Sequence, residues 1–453
     1  MSTPSSNKSP FSFKSQKDDV QSCFREHREP MVSVGIMHKE EISLTLHHAY
    51  LCQQTNKEIN GDLHISLCNN ELVLNGQTFP ILSFIPQHED CLCLLQGVTI
   101  GIGFHWEREE CQTFQGNIHL IVVDNEIQVI NQLGIEQYLR SVIGSEMSAT
   151  SELELLKAHA VISRSWLLSP MVGKESDTAI VEQEHNEEIT RWYERDAHTL
   201  FDVCADDHCQ RYQGVSRINT PTVEQALRET CGELLMMNEE VCDARFSKSC
   251  GGVTELFSNC WSEESEHPYL AALNDSRDRA IPDLTKEEEA EQWIRSSAPP
   301  FCNVTDPTVL RQVLNSYDQE TPDFYRWTIH YSNKEISEII KEKSGIDFGK
   351  ILKLEPLTRG TSGRITRLRI VGEHHTIIVG KELEIRKWLS KSHLYSSAFV
   401  VDSDSEGFTL TGAGWGHGVG LCQIGAAAMA HEGFSYQEIL AHYFPGASLT
   451  KQW

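Results

Sequence analysis

No apolar run in this chain reaches the roughly 18 residues that a membrane-spanning helix needs, so no transmembrane segment is expected. The N-terminus, MSTPSSNKSPFSFKSQKDDVQSCFREHREP, also lacks the apolar core of a secretory signal, which leaves the compartment open. Positive charge is scarce. Thirty-nine Lys and Arg face 65 Asp and Glu for a net charge of −26, which argues against a nucleic-acid partner because phosphate binding needs a basic surface. A local basic cleft on an acidic protein is still allowed. No internal repeat or low-complexity block is present. The 14 cysteines among 453 residues are scattered and do not form a disulfide framework, so several are expected to be buried reduced thiols.

What is present is concentrated in four segments. The first, Gly134 to Leu168, holds a short apolar-periodic stretch, a break at Gly144-Ser145, Glu146, and then a long helix. Ser151 with Glu154 three residues on fits a capping box at that helix start. Leu153, Leu156, Ala160, Ser163 and Leu167 recur at helical spacing and can face a core. Lys157 and Arg164 lie seven residues apart, on one helix face two turns from each other. A loop carboxylate ahead of two aligned cations reads as a site, although a lone loop Glu is more often simply solvated.

The second segment, His198 to Cys209, offers His198, Cys204, His208 and Cys209. Thiolate and imidazole together suit tetrahedral zinc. The spacing is not that of a finger or ribbon, so a Cys204–Cys209 disulfide or two plain thiols are the rival readings. The third, Gly412 to Ala430, is a glycine-rich loop with His417 and Gln423 running into an Ala-rich helix. It lacks the Lys-Ser/Thr ending of a phosphate-binding loop, and a tight packed turn is its plainer reading. The fourth, FSKSCGGVTE from Phe246 to Glu255, places Ser249, Gly251 and Gly252 in a turn with available amides. Cys250 has no His, Asn or Asp in a thiol-protease arrangement, and is read as an inert buried thiol.

Taken in order, these segments resemble the SpoIID/LytB family. The matching positions are Tyr138, Leu139, Val142, Glu146, Met147, Leu156, Lys157, Ala158, Ala160, Val161 and Arg164. They continue through the Gln210-x-Tyr212-Gln213-Gly214 sequel, the Ser249–Glu255 element, the Gly360-Thr361-Ser362-Gly363 turn with Arg359 and Arg364, and the Gly416–Ala426 stretch. The departures are Ala149-Thr150 in place of a proline-bearing stretch, His159 where Gln is usual, Cys422 where Ser is frequent, and one residue fewer than expected between Cys204 and the His208-Cys209 pair. The resemblance implies a peptidoglycan lytic transglycosylase with Glu146 as catalytic acid and with Lys157 and Arg164 needed for activity. It further implies a glycan cleft with Tyr138, Ser249, Gly251, Gly252, His417 and Gln423 as substrate contacts, and a structural zinc on His198, Cys204, His208 and Cys209. No organic cofactor is implied. The implied partners are peptidoglycan glycan strands and, for a non-catalytic amidase enhancer, a cell-wall amidase. The family implies an extracytoplasmic place of action.

The expected fold class is α+β: a mixed, β-rich core with a capped catalytic helix. Residues 1–29 read as a flexible polar tail. Residues 30–125 read as an antiparallel β region, with turn signals at Asn69-Asn70, Asn75-Gly76 and Asp124-Asn125. Residues 126–453 read as the catalytic region. Within it, about 280–345 is expected to be a helical insertion capped at Thr285, Asp306 and Asn333, and 173–199 an acidic surface excursion. One carboxylate is enough for the implied chemistry, provided Glu146 is sheltered enough to hold a proton when substrate arrives.

Overall fold

The computed structural model describes residues 10–453 except 103–106, 149, 174–179, 186, 194–197, 207, 217–219, 262–266, 278–279 and 314–322. Helices and mixed sheets together make it an α+β fold. An eleven-stranded sheet occupies the N-terminal third. Its strands alternate as the sequence pattern requires: along Ile42–Cys52, residues Ile42, Leu44 and Leu46 are buried while their neighbours are not. The expected turns are two-residue hairpins with positive φ at Asn69-Asn70, Asn75-Gly76 and Asp124-Asn125, the backbone that matches strand twist.

Almost all pairings in this sheet are antiparallel. The exception decides where the second sequence segment sits. The short strand Val203–Cys204 joins the sheet edge parallel to Met31–Lys39, with Val34 opposite Val203 and Gly35 opposite Cys204. Gly35 is needed there, because a Cβ would fall 2.3 Å from the Phe201 ring. The cysteine- and histidine-bearing loop is thereby fastened to a rigid edge.

The strand Glu126–Gly134 runs directly into the helix Ile135–Glu146, which packs on the long helix Leu153–Val172. Both bury their apolar faces in the larger core, with Leu139, Val142, Leu156, Ala160 and Leu167 each inaccessible. A second core lies between the hairpin Ile351–Arg359/Ile365–Gly372 and the helices Asn333–Ser344 and Glu382–Trp388.

Several local expectations are corrected. The helix does not break at Gly144-Ser145; it continues to Glu146, and the break follows it. There is no capping box on the long helix. Its N-cap is Glu152, without a side-chain cap, and the Ser151 hydroxyl instead donates to the Ser148 and Gln312 carbonyls. The segment read as a flexible tail to residue 29 contains the helix Lys17–Arg25 with Val20 buried. That segment is held by Phe13 stacking on His119 and by Ser15 donating to Asp202. The stretch read as a helical insertion has helices Glu287–Arg295, Pro307–Val313 and Asn333–Ser344. It also contains a strand, Arg326–Ser332, paired along its length with Gly407–Ala413. Asp306 does accept the Thr308 N–H, but the caps expected of Thr285 and Asn333 fall to Lys286 and Ser332. Ala149 and part of the acidic 173–199 excursion lie outside the described residues.

Candidate functional site

Glu146 is the last residue of its helix and is half-buried. Its Oε1 accepts the Arg211 backbone N–H at 2.9 Å, and no described residue hydrogen-bonds to Oε2. The segment Gln210–Gln213 acts as a clamp along this helix. Gln210 accepts the Tyr138 hydroxyl at 3.2 Å, Tyr212 donates to Asn131 at 2.6 Å, and the Gln213 N–H donates to Ser141 at 2.9 Å. Tyr138 is inaccessible and stacked on Tyr212 at 5.1 Å. It therefore supports the clamp and offers nothing to a ligand.

The clamp begins one residue after the metal-type cluster. The ligand atoms of His198, Cys204, His208 and Cys209 all lie within 4.8 Å of one another. Cys209 Sγ is 3.4 Å from His198 Nε2 and 3.5 Å from His208 Nδ1. A tetrahedron with Zn–S of about 2.3 Å and Zn–N of about 2.05 Å has an S···N edge of about 3.6 Å, so the cluster fits such an ion. The Cys204 thiol is held far below its usual range, first by Cys209 and then, against its burial, by the two imidazoles. Asp206 extends the brace by accepting N–H groups from Gly101 and Ile102. The arrangement can hold a metal, and through residues 210–213 it would set the position of Glu146.

Lys157 and Arg164 are not brought to Glu146. Arg164 has no exposed side-chain surface and makes a two-point pair with Glu136, Nε to Oε1 at 3.0 Å and Nη2 to Oε2 at 2.7 Å. Its Nη1 also donates to the Glu233 carbonyl. Glu136 is the second residue of the helix that Glu146 ends, ten residues away, which is about 15 Å at the helical rise. Lys157 pairs with Glu154 at 2.8 Å and Glu229 at 2.7 Å. Both cations are spent on carboxylates that tie helices together.

The remaining predicted contacts form one interlocked body. Ser249 and Trp415 exchange backbone hydrogen bonds. Gly251, at φ +81°, abuts Ala413 and Gly414, and a Cβ on Gly252, at φ +109°, would fall 2.7 Å from Trp293. Glu255 is inaccessible, and its two oxygens accept from Thr361 and Ser362 through both backbone and hydroxyl groups. Arg364 lies beneath the glycine-rich loop. It donates to the Gly416 and Cys250 carbonyls, and Gly418 leaves the room its guanidinium needs. The resemblance singled out these three segments separately, but no spacing rule in the sequence joins them into this Glu255–Arg364 frame.

His417 is half-buried in this frame. Its Nδ1 accepts the Val419 N–H at 3.0 Å, and Trp261 stands edge-on at 5.0 Å. Burial first, then Arg245, Arg364 and Arg386, keep the imidazole neutral. Gln423 and Ser249 are buried rather than presented at a surface. Gln423 Nε2 is 3.4 Å from His159 Nε2, which links the glycine-rich loop to the long helix.

The stage II sporulation protein family model matches residues 123–237, the span holding both helices, the metal-type cluster and the clamp. Over that span the chain is similar to the SpoIID/LytB family. A second family model, described as a domain of unknown function, covers residues 255–420. The chain is 28% identical over 330 residues to the amidase enhancer of Bacillus subtilis (strain 168), covering 69% of this chain but 40% of that protein. It is 24% identical over 326 residues to stage II sporulation protein D of the same organism, covering 72% of this chain and 76% of that one. An uncharacterized protein of Brachyspira hyodysenteriae is 26% identical over 338 residues, covering 74% and 72% respectively. The SpoIID/LytB match thus spans the elements that hold Glu146 in place.

Proposed function

We propose that this chain is a peptidoglycan lytic transglycosylase acting at the cell envelope, with Glu146 as its single general acid and base. The observation that carries the reading is the state of the Glu146 carboxyl. One oxygen is fixed by the Arg211 N–H, and the other has no hydrogen-bond partner among the described residues at a half-buried position. A hydrolase needs a second carboxylate to activate water or attack the sugar. In the lytic reaction the muramic acid 6-hydroxyl attacks the anomeric carbon. Glu146 protonates the departing glycosidic oxygen, then takes the proton of that hydroxyl. The anomeric carbon–oxygen bond to the next sugar breaks, the 1,6-anhydro bond forms, and the enzyme regains its proton.

Arg164 and Lys157 are positioning residues in this reading: the Arg164–Glu136 pair fixes the helix that carries Glu146 to the long helix, and the Lys157–Glu229 pair ties the long helix to the helix Pro221–Glu229. His417, Gly251 and Gly252 belong to the frame of the glycan cleft, with His417 in a binding role. Zinc is the metal we assign to His198, Cys204, His208 and Cys209, from their two-thiol, two-imidazole donor set. A closed four-ligand site leaves no position for activating water, so the ion supplies rigidity to the Glu146 clamp.

The test is Glu146→Gln, which can keep the Arg211 contact. It should retain fold and glycan binding while losing about 100-fold or more in rate, measured by mass spectrometry of anhydro-ended fragments from purified glycan strands. Anhydro products forming at the wild-type rate in this variant would refute the assignment. The similarity to an amidase enhancer favours a second reading, in which the chain binds glycan and stimulates a cell-wall amidase. Stimulation of an amidase by the wild type and Glu146→Gln alike, with no anhydro products from either, would select it.

A further inference from the structure

A second group of metal-ligating side chains lies in the other half of the chain, outside the span of the sporulation-family match. Cys250, Cys302, Cys422 and Asp275 are 2%, 1%, 0% and 0% exposed, and their ligand atoms lie within 4.8 Å of one another. We propose that these four residues form a second tetrahedral metal site, suited to zinc, that locks the glycine-rich loop to the Ser249–Gly252 turn and to the segment around Cys302.

Distances carry the argument first. Cys250 Sγ is 3.7 Å from Cys302 Sγ and 3.4 Å from Asp275 Oδ2. A zinc tetrahedron with Zn–S near 2.3 Å and Zn–O near 2.05 Å has an S···S edge of about 3.8 Å and an S···O edge of about 3.6 Å. The first cluster, with different donors, shows the same match between spacing and tetrahedral edge. A Cys250–Cys302 disulfide would need its sulfurs at about 2.05 Å and would leave Cys422 and Asp275 unused.

Electrostatics carries it second. Four ionisable groups converge where water has no access, and burying their charged forms without a counter-charge is costly. A dication reverses that balance, each thiol releasing its proton as the metal binds. The surroundings are already arranged for negative sulfur and oxygen. Cys422 Sγ, at the N-cap of the helix Gln423–His431, accepts N–H groups from Cys250 and Gly425. Cys250 Sγ accepts the Gly252 N–H. Asp275 Oδ1 accepts the Tyr443 hydroxyl at 2.6 Å, which leaves Oδ2 toward the thiols, where it also accepts the Cys302 N–H. Such contacts orient ligands and tune a metal site. Gly425 completes the fit, because a Cβ there would fall within 2.8 Å of both Asp275 oxygens.

The four ligands come from segments up to 172 residues apart, so one ion would tie chain ends that loop entropy otherwise separates. Cys250 also offers its carbonyl to Arg364, which in turn holds Gly416 beside His417. The site would therefore rigidify the loop placed in the glycan cleft.

Elemental analysis of the full chain, prepared under reducing conditions with zinc, tests this independently of the first cluster. Wild type should hold two zinc ions, His198→Ala/Cys204→Ser one, Cys302→Ser one, and the combined variant none. Equal zinc in wild type and folded Cys302→Ser, or none in folded His198→Ala/Cys204→Ser, would overturn the second site. Loss of the first site alone would instead show as one ion in the wild type that His198→Ala/Cys204→Ser retains. Zinc X-ray absorption on the unaltered chain avoids any folding defect of the variants. It should give a mean of 2.5 sulfurs per zinc, from two cysteines in one cluster and three in the other. A mean of 2 at one zinc per chain, or a Cys250–Cys302 disulfide in the native protein by mass spectrometry, would refute the proposal.

Discussion

Changing Glu136 to Gln separates the two roles that Arg164 could play. The carboxylate accepts three hydrogen bonds: two from Arg164, at 3.0 and 2.7 Å, and one from the Gly232 N–H at 3.0 Å. Gln is nearly the same size but carries one acceptor, and its amide N–H would face a donor. It also removes the charge opposite a guanidinium with no exposed side-chain surface. Breaking a buried pair from one side costs about 3–5 kcal/mol, because the remaining charge stays buried and uncompensated. Glu136 keeps 16% of its side-chain exposure, which lets water relieve part of that cost and puts the expectation near about 3 kcal/mol.

The assay has two arms. Urea unfolding should show the midpoint falling with little change in the slope. Glycan cleavage, at a temperature where the variant is folded, should lose kcat more than KM, because a shift of about 1 Å in a positioned group can cost about 100-fold. Arg164→Met should behave alike, and the double variant should be no worse than either single change, as expected of one coupled pair. A stable, fully active Glu136→Gln beside an inactive Arg164→Met would refute the reasoning and put Arg164 on the substrate.

Three further outcomes follow from the same geometry. Cys204→Ser should abolish metal binding at the first cluster, lower thermal stability and reduce glycan cleavage through the Arg211–Glu146 contact; native protein that is metal-free and fully active would contradict this. His417→Ala should weaken glycan binding by about 1–3 kcal/mol, while the kcat profile keeps the pH limb set by Glu146. A kcat collapse with intact binding and a vanished limb would make His417 catalytic instead. Burial first and Lys248 second push His159 down to about 3, so the unfolded chain binds the extra proton at intermediate pH. Its contribution is fully present above about pH 6.5 and lost as pH falls toward 3, at about 1.4 kcal/mol per unit. His159→Gln should flatten the dependence of the urea midpoint on pH across that window, and an unchanged slope would exclude His159 as its source.

Legibility in the sequence followed the range of the forces involved. The N-terminal sheet was readable because period-two burial and Asn- and Asp-containing turns are local signals. The strand Arg326–Ser332 was not, because it is specified by its partner Gly407–Ala413, some 80 residues later. Ser151 shows the same limit. Its residue type fits an N-cap, yet its hydroxyl goes to the Gln312 carbonyl across 161 residues, and tertiary partners outweighed the local motif. In the candidate site, the four metal-ligating residue types of the first cluster were legible because they fall within twelve residues. Cys250, Asp275, Cys302 and Cys422 lie on four separate segments, so no spacing rule could gather them.

The alignment of Lys157 and Arg164 on one helix face was correct as geometry and misleading as chemistry. A shared face says which residues meet the same surroundings, and here those surroundings are other helices of the protein, not a ligand. The acidic composition explains the difference: with 65 carboxylates to 39 cations, an interior cation readily finds an internal partner, as Arg164 and Lys157 both do. That pairing also removes an objection to the single-carboxylate reaction. Two unpaired cations within about 4–6 Å of Glu146 would favour its ionised form and oppose the proton transfer that begins the reaction. Here Arg164 is held by Glu136 at the far end of the helix that Glu146 ends, and Lys157 is paired with both Glu154 and Glu229.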